Sequence, residues 1–221
     1  VSIVTLSEGE VSELHIGLKG TMGALYLKDL ADKTRRGLRG RVEEGKSGGG
    51  LCYGYDVVRH LDTSGETSRG ERTINEQEAN IIRRIFTEYL AGKSSRTIAM
   101  VLNSEGVRGP QGSDWGPSTI HGNPKRGTGI LNNELYIGKL VWNRLRYLKE
   151  PDTGKRVSRP NPEADWVIQD VPDLRIVDQN LWDAVKTRQD QMALEPGTQL
   201  GDNRVLNERR RPKHLFTGLV K

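Results

Sequence analysis

Residues 25–46 constrain the fold most, because they have the pattern of one long amphipathic helix whose character changes along its length. Apolar side chains recur at helical spacing in the first part, and cations concentrate toward the end. The apolar stripe consists of Leu27, Leu30, Ala31, Thr34 and Leu38. The cations are Arg35, Arg36, Arg39, Arg41 and Lys46. The pattern predicts a helix that binds a protein partner at its front and a polyanion at its end. The alternative is a solvated amphipathic helix.

Three consecutive glycines, Gly48, Gly49 and Gly50, follow this segment. Glycine is a poor helix former, and a backbone without side chains is thin enough to lie against a nucleic-acid groove. We therefore predict that the run stops the helix and contacts DNA. The alternative is a flexible linker with no contact of its own.

Composition narrows the class of protein. A chain of 221 residues holds one or two modest domains, and an aromatic content of 5% predicts small cores. The net charge of +5 favours a polyanionic partner. The excess of 34 basic over 29 acidic residues is mild, so the clustering of the cations along the chain is more informative than the net charge. The single cysteine excludes an internal disulfide, and the four scattered histidines show no metal-ligand spacing. We expect a cytoplasmic protein with no metal, cofactor, membrane or small-molecule partner.

Two helices joined by a short turn are predicted in the middle of the chain. The first begins after the N-cap Asn75 and continues to about Tyr89, and the second, which Ser94 or Ser95 can begin, covers residues 96–104. Gly92 ends the first helix and leaves about three residues for the turn. This is the geometry of a helix-turn-helix. Any αα-hairpin has the same pattern, so DNA binding does not follow from it alone.

The segment after Trp115 has the pattern of two short helices with a basic loop between them. Pro117 suits the first position of a short helix, whereas Pro124 and three neighbouring glycines interrupt any longer one. We expect a short helix, a basic loop and another short helix over residues 129–133. The side chains suited to base edges or phosphates are Ser118, Thr119, His121, Lys125 and Arg126. The alternative is that the loop is a disordered surface insertion.

Alternation of apolar and polar residues predicts a strand over residues 139–148 and a second one near residues 166–168. Together they suggest a small antiparallel sheet. Arg144 and Arg146 would share the face of the first strand that is not buried, and Arg156 would lie near the tip. We add these three arginines to the candidate DNA contacts.

The final predicted helix begins after Asp178 and ends at about Met192. Residues 195–211 are polar and rich in charge, as in a linker. The elements together predict an α+β fold. A long N-terminal helix leads into a mostly helical, helix-turn-helix-like DNA-binding domain with a small antiparallel sheet.

Several short motifs occur in the order found in the serine recombinases, and the chain resembles the large serine integrases and transposon recombinases almost end to end. Residues 1–6 and 7–10 are similar to the last strand and mobile loop of that family's catalytic domain. Residues 52–55 are similar to the motif that opens its recombinase domain. The later matches are residues 98–99, residues 102–107, Trp115 and residues 130–138. Each motif is weak alone, and their order makes the resemblance specific.

The resemblance implies how the chain is organised. Residues 1–47 correspond to the end of a resolvase-like catalytic domain, 48–55 to a linker, 56–194 to the recombinase DNA-binding domain, and 195–221 to a linker toward a zinc ribbon. It also implies that the serine nucleophile lies upstream of Val1, so we assign no catalytic residue and expect the chain alone to be inactive. The broken helix after Trp115 departs from the family, whose members usually carry one unbroken recognition helix.

The resemblance further implies a function. The parent enzyme would cut and rejoin DNA through a phosphoserine link, and this chain would recognise one half of an attachment site for integration or excision. Its partners would be double-stranded DNA and further copies of itself, in a dimer or tetramer. A helix-turn-helix transcriptional regulator and a structural interaction module are the alternatives.

Overall fold

The computed structural model describes residues 3–5, 9–58 and 70–194. Its helices are α1 Glu13–Glu43, α2 Glu76–Leu90, α3 Ser95–Ser104, α4 Pro117–His121 and α5 Gln179–Leu194. Its strands are β1 Ile3–Thr5, β2 Gly9–Val11, β3 Tyr55–Val57, β4 Arg72–Ile74, β5 Lys139–Trp142, β6 Leu145–Lys149, β7 Arg156–Pro160 and β8 Val167–Asp170. The strands form the antiparallel pairs β1–β2, β3–β4, β5–β8 and β6–β7. The predicted α+β class, with its long N-terminal helix and small antiparallel sheets, is confirmed.

The chain divides into two compact units, and each is built from two stretches of sequence. The first unit combines Val1–Ile74 with Gly138–Leu174, and the second combines Asn75–Ile137 with Arg175–Lys221. Within the described residues, the first unit holds α1 and the strand pairs, and the second holds α2 to α5. The domain boundaries inferred from the resemblance stay predictions. The linker predicted at residues 195–221 lies outside the described residues.

Helix α1 is longer than the sequence pattern predicted, and it ends earlier. It begins after the N-cap Ser12, whose hydroxyl accepts a hydrogen bond from the His15 amide at 3.4 Å. Its 31 residues span about 46 Å. It closes at Glu43, and Gly45 follows with a φ of +76°. The prediction that glycines 48–50 stop the helix is therefore wrong, because backbone hydrogen bonds around Gly45 already satisfy the last carbonyls.

The C-terminal end of α1 packs against the β5–β8 sheet. Val42 is fully buried there, and Gly48 lies so close to Trp142 that a Cβ on the glycine would be 2.7 Å from the indole Cδ1. Tyr55 anchors the β3–β4 hairpin in the same unit, because its hydroxyl donates to the Leu174 carbonyl oxygen at 2.7 Å. Burial raises the pKa of Tyr55 well above its ordinary value, so the hydroxyl remains a donor.

The single strand predicted over residues 139–148 is two strands in the structure. Asn143 has a φ of +63°, which takes the chain out of the extended conformation. As a result β5 pairs with β8, whereas β6 turns away to pair with β7. Asn161 stabilises the break by donating from Nδ2 to the Asn143 carbonyl oxygen at 2.7 Å. Arg144 therefore lies in the break, and the prediction that it shares a strand face with Arg146 is wrong.

The N-terminal motif of the resemblance also differs in detail. Strand β1 lies within the strand predicted at residues 1–6, but residues 9 and 10 of the predicted loop belong to β2. The two strands pair with Ile3 opposite Val11. Residues 1, 2 and 6–8 lie outside the described part of the chain.

The core of the second unit is formed by α2, α3 and α5 with the turns after α4. Phe86 is fully buried, stacks on Trp182 with ring centroids 5.7 Å apart, and meets Tyr136 edge-on at 6.5 Å. The predicted cap Asn75 is confirmed, since its side chain accepts hydrogen bonds from the Gln77 and Glu78 amides of α2. Of the two serines predicted to begin α3, Ser94 is the cap, and its side chain accepts a hydrogen bond from the Thr97 amide. Residues 91–94 join the two helices, and the last helix extends two residues beyond its predicted end.

The segment after Trp115 follows the predicted order with one difference. Helix α4 begins at Pro117 as predicted, and its buried residue is Ile120. The second short helix, predicted at residues 129–133, is a single 3-10 turn over Ile130–Asn132. Its residues are buried, so it serves as part of the core rather than as a surface element.

Candidate nucleic-acid interface

The arginines near the end of α1 lie on an exposed face. Arg35 and Arg36 are exposed, and Arg39 donates from Nε to the Glu43 carboxylate at 2.8 Å. The two side chains of that ion pair are 62% and 51% exposed, so the pair contributes little and can give way to a phosphate. Arg41 is half-buried, and Lys46 forms an ion pair with Glu44.

The three glycines after α1 have different surroundings. Gly48 packs beneath the Trp142 indole, so the close approach that requires a glycine there is made by protein. Gly49 and Gly50 are exposed and adopt positive φ angles of +138° and +78°. Arg72 holds this turn, because its Nη2 donates to the Gly50 carbonyl oxygen at 2.7 Å. Of the three glycines predicted to contact DNA, Gly49 and Gly50 therefore have an accessible backbone.

Helix α4 presents the polar side chains predicted to read DNA. Ser118 is exposed and Thr119 is half-exposed, while Ile120 anchors the helix in the core. His121 is half-buried, and burial together with the positive charge of Lys186 holds its pKa below the ordinary value. At neutral pH the imidazole is therefore an uncharged hydrogen-bonding group and not a phosphate-binding cation.

The basic insertion after α4 is a compact closed loop. Asn123 and Thr128 pair across its base, with amide-to-carbonyl distances of 3.0 and 3.2 Å. The Asn123 side chain accepts a hydrogen bond from the Arg126 amide at 3.2 Å, which closes the turn inside the loop. Lys125 is exposed and Arg126 half-exposed at its tip. The segment thus has a defined conformation, unlike the alternative of an unstructured insertion.

Two glycines make this closure possible. A Cβ on Gly122 would lie 1.8 Å from the Thr128 carbonyl oxygen, and one on Gly129 would lie 2.5 Å from the Gly122 Cα. Both glycines also adopt positive φ angles, of +57° and +88°. The two ends of the loop therefore touch backbone to backbone, which no side chain would allow.

The two strands β6 and β7 form a ribbon with no buried side chain. Arg146 lies directly opposite Arg159, and Lys149 lies directly opposite Arg156. The Arg156 guanidinium also covers the Tyr147 ring at 4.1 Å. Within the described residues, none of these four cations has an ion-pair partner. Like charges directly opposite each other destabilise a strand pair, so this surface favours an anionic partner.

Sequence reasoning left Lys149 and Arg159 out of the candidate contacts. The missing information was the register, because only the observed pairing places each of them opposite another cation. The third candidate in this part of the chain, Arg144, stacks its guanidinium on Trp166 at 4.5 Å from the ring centroid. Its planar group is therefore held by an indole rather than presented on the ribbon.

Some cations of the second unit are neutralised by protein. Arg84 donates from Nη2 to Glu105 at 2.7 Å and from Nε to Glu88 at 2.9 Å. The hydrogen bond from Arg84 holds the pKa of Glu105 below its ordinary value. Lys93 also pairs with Glu88 at 3.2 Å, so the cluster, which ties α2 to the end of α3, holds two cations and two carboxylates. It contrasts with the ribbon, where positive charge accumulates.

The candidate residues distribute over both units. The first unit holds the cations of α1, the glycine run, Arg144, Arg146 and Arg156. The candidates Ser118, Thr119, His121, Lys125 and Arg126 belong to the second. Within residues 12–58 and 70–193, no group of three His, Cys, Asp or Glu side chains is arranged to hold a metal ion. None of the described helices is both long enough and apolar enough to cross a bilayer.

A family model described as Recombinase matches residues 76–192, which is just over half of the chain. No curated protein sequence matches the chain significantly. The matched segment contains α2 to α5 and the β6–β7 ribbon, and it includes the later motifs of the resemblance, which are residues 98–99, residues 102–107, Trp115 and residues 130–138. The chain therefore belongs to the Recombinase family, in agreement with its resemblance to the large serine recombinases, and carries a domain of a site-specific recombinase.

Proposed function

We propose that this chain binds duplex DNA and recognises one half of an attachment site for a serine recombinase that integrates or excises DNA. The observation that carries the proposal is the ribbon of β6 and β7, in which two pairs of like charges lie opposite each other. Among the residues that the structure describes, none of these four cations has an acidic partner. Phosphates placed along the ribbon would neutralise this repulsion. A two-stranded ribbon also fits the width of the major groove. Such a protein acts in the cytoplasm, where the DNA is.

The proposed contacts fall into two classes. The exposed arginines of α1, the glycine turn and the ribbon bind phosphates and position the protein. The polar face of α4 and the tip of the closed loop read base edges, because hydroxyl, ammonium and guanidinium groups match the donor and acceptor pattern of the major groove. His121 takes part as a neutral hydrogen-bonding group.

The front of α1 is proposed to bind further copies of this chain in a dimer or tetramer. Its side chains are exposed from the N-cap to residue 37. Large apolar residues among them include Leu14, Leu18, Met22, Leu25, Tyr26 and Leu27. A contiguous apolar surface of this kind is typical of a protein–protein interface. A transcriptional regulator would share the DNA contacts, and membership of the Recombinase family favours the recombinase.

We expect the affinity for duplex DNA to fall steeply with salt, and replacement of Arg35, Arg36 and Arg39 by alanine to flatten that dependence. Each phosphate contact contributes about −0.9 to the slope of log affinity against log salt concentration. The slope of the triple variant should therefore be smaller in magnitude by up to about 2.7. The loss should be equal on specific and random duplexes. Fluorescence anisotropy at several salt concentrations measures both quantities.

The matched control removes the same charge from the front of the same helix. Replacement of Lys19, Lys28 and Lys33 by alanine changes the net charge equally but leaves the proposed phosphate contacts in place. Its slope should stay close to that of the unmodified protein. Equal slopes in the two triple variants, or a flat slope for the unmodified protein, would contradict the proposal.

Substitution of Thr119 or Arg126 should change sequence preference instead of overall affinity. Loss of a base contact removes about 1–3 kcal/mol of discrimination at the affected base pair, whereas the phosphate contacts remain. Selection of bound duplexes from a randomised pool, followed by sequencing, would show the preference of each variant. If Arg126→Ala and the α1 triple variant shift the selected sequences alike, the division into positioning and reading residues is wrong.

A further inference from the structure

A cation from α5 lies directly beneath the closed loop. The Lys186 Nζ donates to the Leu131 carbonyl oxygen at 2.7 Å, to Asn132 Oδ1 at 2.6 Å and to Gln189 Oε1 at 3.0 Å. It also lies 4.5 Å from the centroid of the Trp182 ring. An ammonium group has three hydrogens to donate, and three protein oxygens accept them here. This lysine is therefore engaged by protein and is not a phosphate contact.

Lys186 and Asn132 form a hydrogen-bond network. Asn132 is a polar residue that is only 3% exposed. While its Oδ1 accepts from Lys186, its Nδ2 donates to the His121 carbonyl oxygen at 2.6 Å and to the Thr128 carbonyl oxygen at 2.9 Å. Those carbonyls belong to the last residue of α4 and the last residue of the loop. One amide thus fastens both ends of the closed loop. The ammonium fixes the orientation of that amide, because a flipped amide would point its NH2 group at a cation.

We propose that Lys186 and Asn132 are positioning residues for sequence recognition. They hold α4 and the loop of residues 123–128 in the geometry that meets DNA, before any DNA is bound. The inference rests on the proposed function and adds residues that do not touch DNA. A preformed loop loses less conformational freedom on binding. Base contacts need fixed geometry, whereas attraction to phosphates does not.

Loss of this hydrogen-bond network should therefore change DNA binding in a way that a loss of folding does not. Weakening it should reduce discrimination between a specific and a random duplex, while the affinity for random duplex stays nearly constant. A general loss of folding would lower both affinities together. The ratio of the two dissociation constants at one salt concentration separates these cases.

The test uses Lys186→Met, which keeps the length of the side chain and removes its three donors, and Asn132→Asp, which removes the two amide donors. The probes are a duplex selected by the unmodified protein from a randomised pool and a random duplex of the same length. Each variant should lose discrimination by roughly tenfold, about the contribution of one base contact. Lys186→Arg retains hydrogen-bond donors and should keep most of the discrimination between the two duplexes.

Arg188→Met is the matched control. It removes one positive charge from the same helix, two residues away, where the guanidinium lies 5.3 Å from the Tyr89 ring centroid and outside the network. Its discrimination should equal that of the unmodified protein. The inference is overturned if Lys186→Met keeps its discrimination, if both affinities fall equally, or if Arg188→Met behaves in the same way.

A measurement on the unmodified protein tests the same inference without any substitution. The Asn123 and Thr128 amides, which close the loop, should exchange slowly with deuterium in the free protein and equally slowly with DNA bound. Fast exchange that slows only on addition of DNA would show that DNA orders the loop, and would overturn the inference. Failure of the unmodified protein to bind any duplex would instead remove the proposed function itself.

Discussion

Replacement of Phe86 by alanine lowers the free energy of unfolding by about 3–5 kcal/mol. The ring is fully buried between Trp182 and Tyr136, where it makes one stacked and one edge-on contact. Truncation leaves a cavity that the rigid surrounding helices cannot fill, and it removes the aromatic contacts as well. Urea unfolding followed by tryptophan fluorescence measures the change, because Trp182 reports directly on this contact.

Met100→Ala is the appropriate comparison, since it truncates a large side chain that is 64% exposed on α3. Its effect should be within about 0.5 kcal/mol, because most of the side chain is exposed and little buried surface is lost. A loss below about 1.5 kcal/mol for Phe86→Ala would contradict the packing described for the second unit. Such a result would mean that the aromatic cluster is not the centre of the core.

Replacement of Gly122 by alanine should destabilise the second unit by about 2–6 kcal/mol, the sum of a strained backbone and a steric clash. The new Cβ would meet the Thr128 carbonyl oxygen at 1.8 Å, and Gly122 has a φ of +57° with a ψ of −143°. The loop must open to relieve the clash, which breaks the hydrogen bonds to Asn132. Thermal and urea unfolding of the variant measure the loss.

Gly106→Ala is the comparison that separates the cost of the left-handed backbone from the cost of the steric clash. Gly106 follows α3 with a φ of +72°, and a Cβ there would meet nothing within 4 Å. Only the cost of the left-handed conformation applies, about 1–2 kcal/mol. The Gly122 variant should therefore be clearly the less stable of the two. Equal losses would mean that the backbone contact at the base of the loop does not limit the fold.

Several elements could be predicted because their signals are local. Asn75 and Ser94 cap α2 and α3 with side chains that bond amides two or three residues away. Pro117 begins α4 for an equally local reason, since its fixed φ suits the first turn. The basic character of the end of α1 is likewise visible in the order of its residues. These predictions needed no knowledge of distant contacts.

Other features depend on which distant residues meet. Gly48 was expected to face a nucleic-acid groove, but the residue that requires a glycine there is Trp142, from another part of the chain. The alternation across residues 139–148 suggested one strand, because the pattern does not reveal that Asn143 turns the chain toward a different partner strand. The cationic ribbon became apparent only from the pairing of Arg146 with Arg159.

By itself the amino-acid sequence determined the places of α2 to α5, the caps of α2 and α3, the concentration of cations and the order of motifs that indicates a recombinase. Each of these arises from interactions between residues within a few positions or from composition. The tertiary structure alone decided which cations remain exposed and which are held by protein groups. The sequence does not distinguish Lys125 from Lys186, yet only the fold brings Lys186 to Asn132, 54 residues away, where its ammonium group donates to protein oxygens. Contacts between residues so far apart in sequence depend on the packing free energy of the whole unit, and a local sequence pattern carries no information about that free energy.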